Sequence, residues 1–199
     1  ENNPRSLPIV YGIGGNNTRS ILESISATDL SGVDALLSVS PYYNKPSQEG
    51  IYQHFVTIAD HCPIPVILYN VPGRTASNMS AQTTLRLAQH KNIIGIKEAS
   101  GNMEQCLEIA KNMPKDFMLI SGDDMWTLAL YAMGAKGVIS VLGNALPMIF
   151  KGIKDHAFRG EFSKASKEQL KLLEINGPMY VEGNPVGIKY LLSELKVCN

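Results

Sequence analysis

The sequence lacks any excess of charge: eighteen basic and eighteen acidic side chains cancel, and no run of like charges marks a nucleic-acid or membrane-surface footprint. It also lacks an apolar run approaching the ~20 residues that span a bilayer, and its opening residues do not read as a signal peptide. A cytoplasmic location, with neither nucleic acid nor membrane as partner, is therefore expected. Cysteine is scarce. Cys62, Cys106 and Cys198 lie far apart without a Cys-x-x-Cys pair, so they read as reduced structural thiols, not as a disulfide framework or metal site. His54, His61, His90 and His156 are scattered as well, which supports neither zinc nor a cysteine-histidine nucleophile. What remains as a partner is a small neutral or anionic metabolite. There is no initiator methionine before Glu1-Asn2-Asn3-Pro4, as expected of a chain that begins inside a longer one.

What is present is enough for a sizeable core: 199 residues with an ordinary hydrophobic share of 44%. Short apolar, β-branched runs alternate with segments of helical character. Strands are expected over residues 7–13, 35–40, 65–70, 93–97, 117–121 and 137–140. Helices are expected over about 18–31, 47–61, 80–90, 102–112, 125–133, 147–158, 163–173 and 185–195. Thr18 is read as the cap of the first helix and Ser47 as the cap of the second. Pro72-Gly73 reads as a tight turn. Strand-loop-helix thus recurs six times with no hairpin signal, the pattern of an all-parallel sheet with helical crossovers. Pattern alone leaves two options, an open doubly wound sheet or most of an eight-stranded barrel.

In such folds chemistry collects at the carboxyl ends of the strands. Ile93-Ile94-Gly95-Ile96 delivers Lys97 to one of those ends, with Tyr42 and Tyr43 following the second strand, Tyr69 and Arg74 the third, and Gly122, Asp123 and Asp124 the fifth. One lysine, tyrosine hydroxyls and one arginine without a metal cluster suit Schiff-base chemistry on a keto acid. An unperturbed lysine, with pKa about 10.4, is almost wholly protonated at pH 7, and burial would favour the neutral nucleophile. A tyrosine hydroxyl can relay the proton that dehydration of the carbinolamine needs, and an arginine fork can hold a carboxylate. Each residue also has a plainer reading. Lys97 could extend its ammonium into water, Tyr42 and Tyr43 could cover the core, and Arg74 could be a solvated turn residue. Asp123-Asp124 reads as a helix cap with a first-turn acid, and Glu98, on the opposite strand face from Lys97, as structural. Gly12-Ile13-Gly14-Gly15-Asn16 fits neither dinucleotide nor P-loop spacing and reads as a tight turn.

Four segments carry a resemblance: Ser40-Pro41-Tyr42-Tyr43-Asn44-Lys45-Pro46, Tyr69-Asn70-Val71-Pro72-Gly73-Arg74-Thr75, Gly95-Ile96-Lys97-Glu98-Ala99 and Ser121-Gly122-Asp123-Asp124. In that order and at those strand ends the chain resembles the dihydrodipicolinate synthase and N-acetylneuraminate lyase family of class I aldolases. The resemblance implies an α/β fold, the (β/α)8 TIM barrel with extra C-terminal helices, of which this chain holds strands 3 to 8. Residues 1–160 would be the partial barrel and 161–199 a helical extension packed on it. The resemblance makes Lys97 the imine-forming lysine, Tyr69 the proton relay, and Tyr43 a tyrosine that reaches a neighbouring subunit's site. It adds Gly122 and Ile139 as the lining of the pyruvate pocket and implies a homo-oligomer, a dimer of dimers. No cofactor is implied beyond the covalent imine between Lys97 and pyruvate.

The resemblance makes Arg74 favour the synthase branch, in which pyruvate condenses with L-aspartate 4-semialdehyde, because the synthases place an arginine here for the semialdehyde's carboxylate whereas sialic-acid lyases usually do not. Two other readings stay open: a pyruvate-releasing aldolase acting on sialic or keto-sugar acids, and a non-catalytic ligand-binding relic. The first two βα units of the family and its last helix have no counterpart here, so a fragment of a longer enzyme is expected. Asn16 and Tyr42 match an allosteric lysine pocket in the family. Ser20 replaces an acidic residue expected there, so weak or no inhibition by lysine is expected.

Overall fold

Runs of five or six residues rich in leucine, isoleucine and valine form the longest strands, and short polar side chains at Asn17, Ser47, Ser80 and Asn102 cap four of the helices that flank them. The computed structural model describes Asn3 and residues 6–198, and the chain divides into two compact units, Glu1–Leu119 and Ile120–Asn199. The first unit holds β1 (Val10–Gly12), α1 (Thr18–Ala27), β2 (Ala35–Val39), α2 (Gln48–His61), β3 (Val66–Asn70), α3 (Pro72–Thr75), α4 (Ala81–Leu87), β4 (Ile93–Glu98) and α5 (Met103–Asn112). β1 pairs with β2, β2 with β3 and β3 with β4, every pair parallel. Apolar faces of strands and helices meet in a core of Leu36, Ile51, Phe55, Ile58, Leu68, Leu87, Ile96 and Ile109, all fully buried. Burying each such side chain contributes about 1.5–3 kcal/mol before chain entropy is counted.

The order of elements agrees with the pattern in the sequence, and several boundaries differ for local physical reasons. The first strand is three residues long instead of seven, and its side chains are exposed on both faces. The first helix stops at Ala27 and is capped by Asn17, whose side chain accepts from the backbone N–H of Ser20. Thr18, read as the cap, lies one residue inside the helix, where its hydroxyl shares a 2.8 Å hydrogen bond with His54 Nδ1. Ser47 does cap its helix, accepting from Gly50 N–H. Pro72-Gly73 opens the single helical turn of α3, not a simple reversal, because proline's fixed φ suits a first helical position. Ala76 then ends that turn in the left-handed region, at φ 56°.

β4 comes close to the backbone of Met118 at Gly95. A Cβ there would lie 2.7 Å from the Met118 carbonyl oxygen and 3.0 Å from Met118 Cβ, so only glycine lets the two backbones approach this closely.

β5 (Met118–Ser121) runs from the end of the first unit into the second, where Ile120 and Ser121 pair in parallel with Gly137 and Val138 of β6 (Gly137–Val138). α6 (Thr127–Ala132), α7 (Pro147–Phe158), α8 (Phe162–Leu170), α9 (Leu173–Asn176) and α10 (Val186–Glu194) complete it. α7 packs along α8, and Leu130, Leu142, Ile153, Ala165 and Leu172 form the buried centre of this unit. Asp123 and Asp124 do not cap α6, whose first residue is Thr127. Asp123 Oδ1 accepts from Met125 N–H at 2.8 Å, a local turn, while Asp124 is buried and its Oδ2 accepts from Leu142 N–H at 2.8 Å. Burial pushes the Asp124 carboxyl upward, opposed by the hydrogen bonds that it receives. Among the described residues no helix is long and apolar enough to cross a membrane.

Candidate active site

An irregularity in the β3–β4 ladder decides which side chains meet. Val66 stands opposite Ile93 but Ile67 stands opposite Gly95, so Ile94 is an extra residue in β4. A bulge of this kind advances everything after it by one position. As a result Tyr69 is level with Lys97 and Asn70 with Glu98. With unbroken register Tyr69 would face Ile96, and the two polar groups would point to opposite sides of the sheet.

Level placement puts Lys97 and Tyr69 in contact. The lysine Nζ sits 4.0 Å from the centroid of the tyrosine ring, over its face. A tyrosine ring attracts an ammonium at that distance through its quadrupole, an interaction worth about 0.5–2 kcal/mol depending on exposure. Both side chains are half-buried at strand ends that are otherwise enclosed. Burial raises the Tyr69 phenol above its ordinary range, with the charge of Arg74 pulling the other way. The phenol therefore keeps its proton at neutral pH and is a donor there. Arg74, exposed in the turn of α3, is close enough for its charge to be felt at Tyr69. Lys97, Tyr69 and Arg74 thus form one group at the ends of β3 and β4.

The remaining expected residues fall elsewhere. Tyr43 is 87% exposed and adopts φ 72° in the loop after β2, a conformation that projects the ring away from its own chain's core. Tyr42 and Asn16 belong to a second feature: the Asn16 side-chain amide donates to the Tyr42 carbonyl at 3.2 Å, and Asn44 donates to the Asn16 carbonyl at 3.2 Å. Together with Gly14, Gly15, Asn17, Ser20 and Ser24 they line a cavity of ≈ 240 Å³. Gly122 and Ile139 lie in the second unit. Gly122 follows β5 directly, and Ile139 N–H donates to the Ser121 carbonyl at 2.9 Å, which sets Ile139 level with the end of β5. Among the described residues no cluster of three histidine, cysteine, aspartate or glutamate side chains could hold a metal ion.

Reasoning from the sequence missed the residues behind this group. Asn70, Glu98 and Gln105 are buried and bonded to one another, with Asn78 at the edge. Glu98 reads from the sequence as structural, and it is buried. Strand alternation gave the only available signal, since it puts Asn70 and Glu98 on the face opposite Tyr69 and Lys97.

Comparison with known proteins adds identity to this geometry. A family model described as the dihydrodipicolinate synthetase family matches residues 4–199. A 4-hydroxy-tetrahydrodipicolinate synthase of Cytophaga hutchinsonii is 52% identical over 198 residues, an alignment covering 100% of this chain and 66% of that protein. The crystal structure of dihydrodipicolinate synthase from Aquifex aeolicus superposes with a TM-score of 0.94 at 37% identity, covering 99% of this chain and 68% of that one. That of DHDPS from Cyanidioschyzon merolae, with lysine bound, gives 0.91 at 38% identity, with coverages of 95% and 64%. The chain spans about two thirds of the length of these relatives.

Proposed function

The chain belongs to the dihydrodipicolinate synthetase family, and from that premise we propose that it carries the Schiff-base centre of a synthase joining pyruvate to L-aspartate 4-semialdehyde. The observation that supports this most is the Lys97 amine held 4.0 Å over the Tyr69 ring at the carboxyl ends of two parallel strands. The neutral Lys97 amine adds to the keto carbon of pyruvate, and the carbinolamine loses one water once its hydroxyl is protonated. Tyr69, whose proton burial retains, is the donor for that step. The iminium withdraws electrons from the adjacent methyl group, which gives up a proton to the Tyr69 phenoxide left by the dehydration, so that an enamine forms and the phenol is restored. The protonated imine on Lys97 is the electron sink, so the reaction calls for no further cofactor.

The enamine carbon then attacks the aldehyde carbon of the semialdehyde, making the new carbon–carbon bond. The semialdehyde's amino group closes onto the imine carbon and displaces the Lys97 amine, giving 4-hydroxy-tetrahydrodipicolinate, a step toward diaminopimelate and lysine. Arg74 holds the semialdehyde's carboxylate by two parallel N–H···O bonds. The family resemblance assigns Gly122 and Ile139 to pyruvate binding. Tyr43, exposed and turned outward, serves the site of a second copy, as in a dimer of dimers. The cavity at Asn16, Tyr42 and Ser20 is the regulatory one. Residues 1–160 form the barrel portion and 161–199 its helical extension, in a cytoplasmic enzyme.

Steady-state turnover of the protein expressed from its complete coding sequence tests this reading. Condensation of pyruvate with aspartate semialdehyde, and no cleavage of sialic or keto-sugar acids, is the result expected. The reverse pattern would assign the protein to the lyase branch. Turnover of neither, with ligand still bound, would make it a binding relic.

A further inference from the structure

We infer that Glu98 is the positioning residue of the site, its buried carboxylate fixing the strand ends and loop that carry Lys97, Tyr69 and Arg74. The inference rests on the reading of Lys97 as the imine-forming lysine. Glu98 is 2% exposed and accepts four hydrogen bonds. Asn70 Nδ2 donates to Oε2 at 3.1 Å and to Oε1 at 3.3 Å, Gln105 Nε2 to Oε2 at 3.1 Å, and the Ser100 N–H to Oε1 at 2.7 Å. Those donors come from three places: the end of β3, the first turn of α5, and the loop that leaves β4.

Both anchoring side chains continue the chain of bonds. Asn70 Oδ1 accepts from the Met79 N–H at 3.0 Å, and its Nδ2 also donates to Asn78 Oδ1 at 2.9 Å. Gln105 donates to the Met79 carbonyl at 3.2 Å and accepts from Asn78 Nδ2 at 2.9 Å. Gln48, at the start of α2, donates to the Asn78 carbonyl at 2.7 Å and accepts from Ser80 N–H at 3.0 Å. Residues 71–77, with Arg74 among them, are therefore held at both ends by groups bonded to one carboxylate. Lys97 and Tyr69 are the sequence neighbours of Glu98 and Asn70. The bulge at Ile94 that levels Lys97 with Tyr69 also levels Glu98 with Asn70, so the contact above the sheet and the bond below it depend on one register.

Buried polar networks cost desolvation and are retained where they specify an arrangement. Only an all-acceptor group suits this one. In Glu98→Gln an N–H would face the N–H groups of Asn70 and Gln105. Asn70 cannot turn over in response without losing its bond from Met79 N–H. Asn70→Asp fails in the opposite sense, setting two carboxylates against each other. The two substitutions together restore one acid facing one amide at the 70–98 contact, because an aspartate at 70 still accepts from Met79 N–H, while the bonds to Asn78, Gln105 and Ser100 are not all remade, so the recovery is partial.

The test is the single-turnover rate of imine formation with pyruvate, read by borohydride quench and mass of the Lys97 adduct, alongside the half-saturating pyruvate concentration and the melting temperature. Misplacing a reacting group by about an ångström costs up to roughly 100-fold, so each single substitution is expected to slow imine formation at least about tenfold. Half-saturating pyruvate should move less than about threefold, because no group that holds pyruvate is removed, and the double variant should recover part of the loss and exceed both single variants. Asn78→Ala, at the exposed edge of the network, leaves the core intact and should slow the step by a few-fold. Wild-type rates in the single variants, a double variant no faster than the slower single, or a wild-type rate in Asn78→Ala would overturn the inference. Absence of the adduct in the wild type would instead refute the Schiff-base reading itself.

Discussion

Replacing Tyr69 separates the two things its side chain does. Tyr69→Phe removes the hydroxyl and keeps the ring face that Lys97 Nζ rests on at 4.0 Å. General acid catalysis by a placed side chain contributes about 10²–10⁴-fold, so kcat should fall by that factor while Lys97 keeps its position. Tyr69→Leu removes the ring face as well. The cation–π term of about 0.5–2 kcal/mol acts on the ammonium, the resting form of Lys97, and its loss corresponds to a further factor of roughly 2–30 in the population of lysine resting in place before it gives up its proton. The two variants should therefore rank wild type, phenylalanine, leucine, with the first gap the larger. Rapid mixing with pyruvate, borohydride quench and quantitation of the adduct measures imine formation directly, and the condensation assay measures kcat. Because burial raises the Tyr69 phenol, its ionisation lies to the alkaline side of an ordinary tyrosine. Any loss of rate from that ionisation should lie on the alkaline side and vanish in Tyr69→Phe. A phenylalanine variant within about threefold of wild type would refute the relay, and a leucine variant equal to phenylalanine would refute the ring's part in holding Lys97.

Three further outcomes are expected. Gly95→Ala sets a methyl 2.7 Å from the Met118 carbonyl oxygen, an overpacking that should cost about 1–3 kcal/mol in denaturant unfolding, whereas an unchanged midpoint would contradict the close backbone approach. His54 is buried with Nε2 unpartnered, and its pKa is lowered to about 4, so the unfolded chain takes up a proton that the folded one refuses. Its contribution to stability is present above the ordinary histidine value of 6.5 and should be lost as pH falls from there to about 4. The loss amounts to roughly 3 kcal/mol at most, and a His54→Gln variant should show a correspondingly flatter unfolding profile over that range. Ser20 contributes no charge to the cavity at Asn16 and Tyr42, so L-lysine should inhibit weakly. Ser20→Glu should strengthen inhibition roughly tenfold by pairing the ligand's ammonium, and strong inhibition of the unaltered protein at low lysine would contradict this.

Much of the fold was legible because its signals are local. Strand runs such as Ile93 to Lys97 and the serine at 47 depend on neighbours a few residues away, and the structure places them where the pattern does. The errors fall where a distant partner intervenes. Asn17 and Thr18 both suit a helix start, and what separates them is His54, 36 positions along, which engages the threonine hydroxyl. Asp124 reads as a cap until its acceptor is found to serve Leu142 N–H, 18 positions on. The site shows the same division. Lys97, Tyr69 and Arg74 stand out by residue type at strand ends. The bulge at Ile94 that aligns the first two, and the Asn70–Glu98–Gln105 bonds behind them, exist only in the register between strands, which no local pattern records.

The central claim is that Lys97 bonds covalently to a keto acid, and one measurement bears on it directly. The protein expressed from its complete coding sequence is incubated with pyruvate, reduced with borohydride, digested, and mapped by mass spectrometry. A single reduced pyruvate adduct is expected on the peptide carrying Lys97, formed only when pyruvate and borohydride are both present and absent in Lys97→Ala. Adduct on other lysines alone, or none from folded protein, would contradict it.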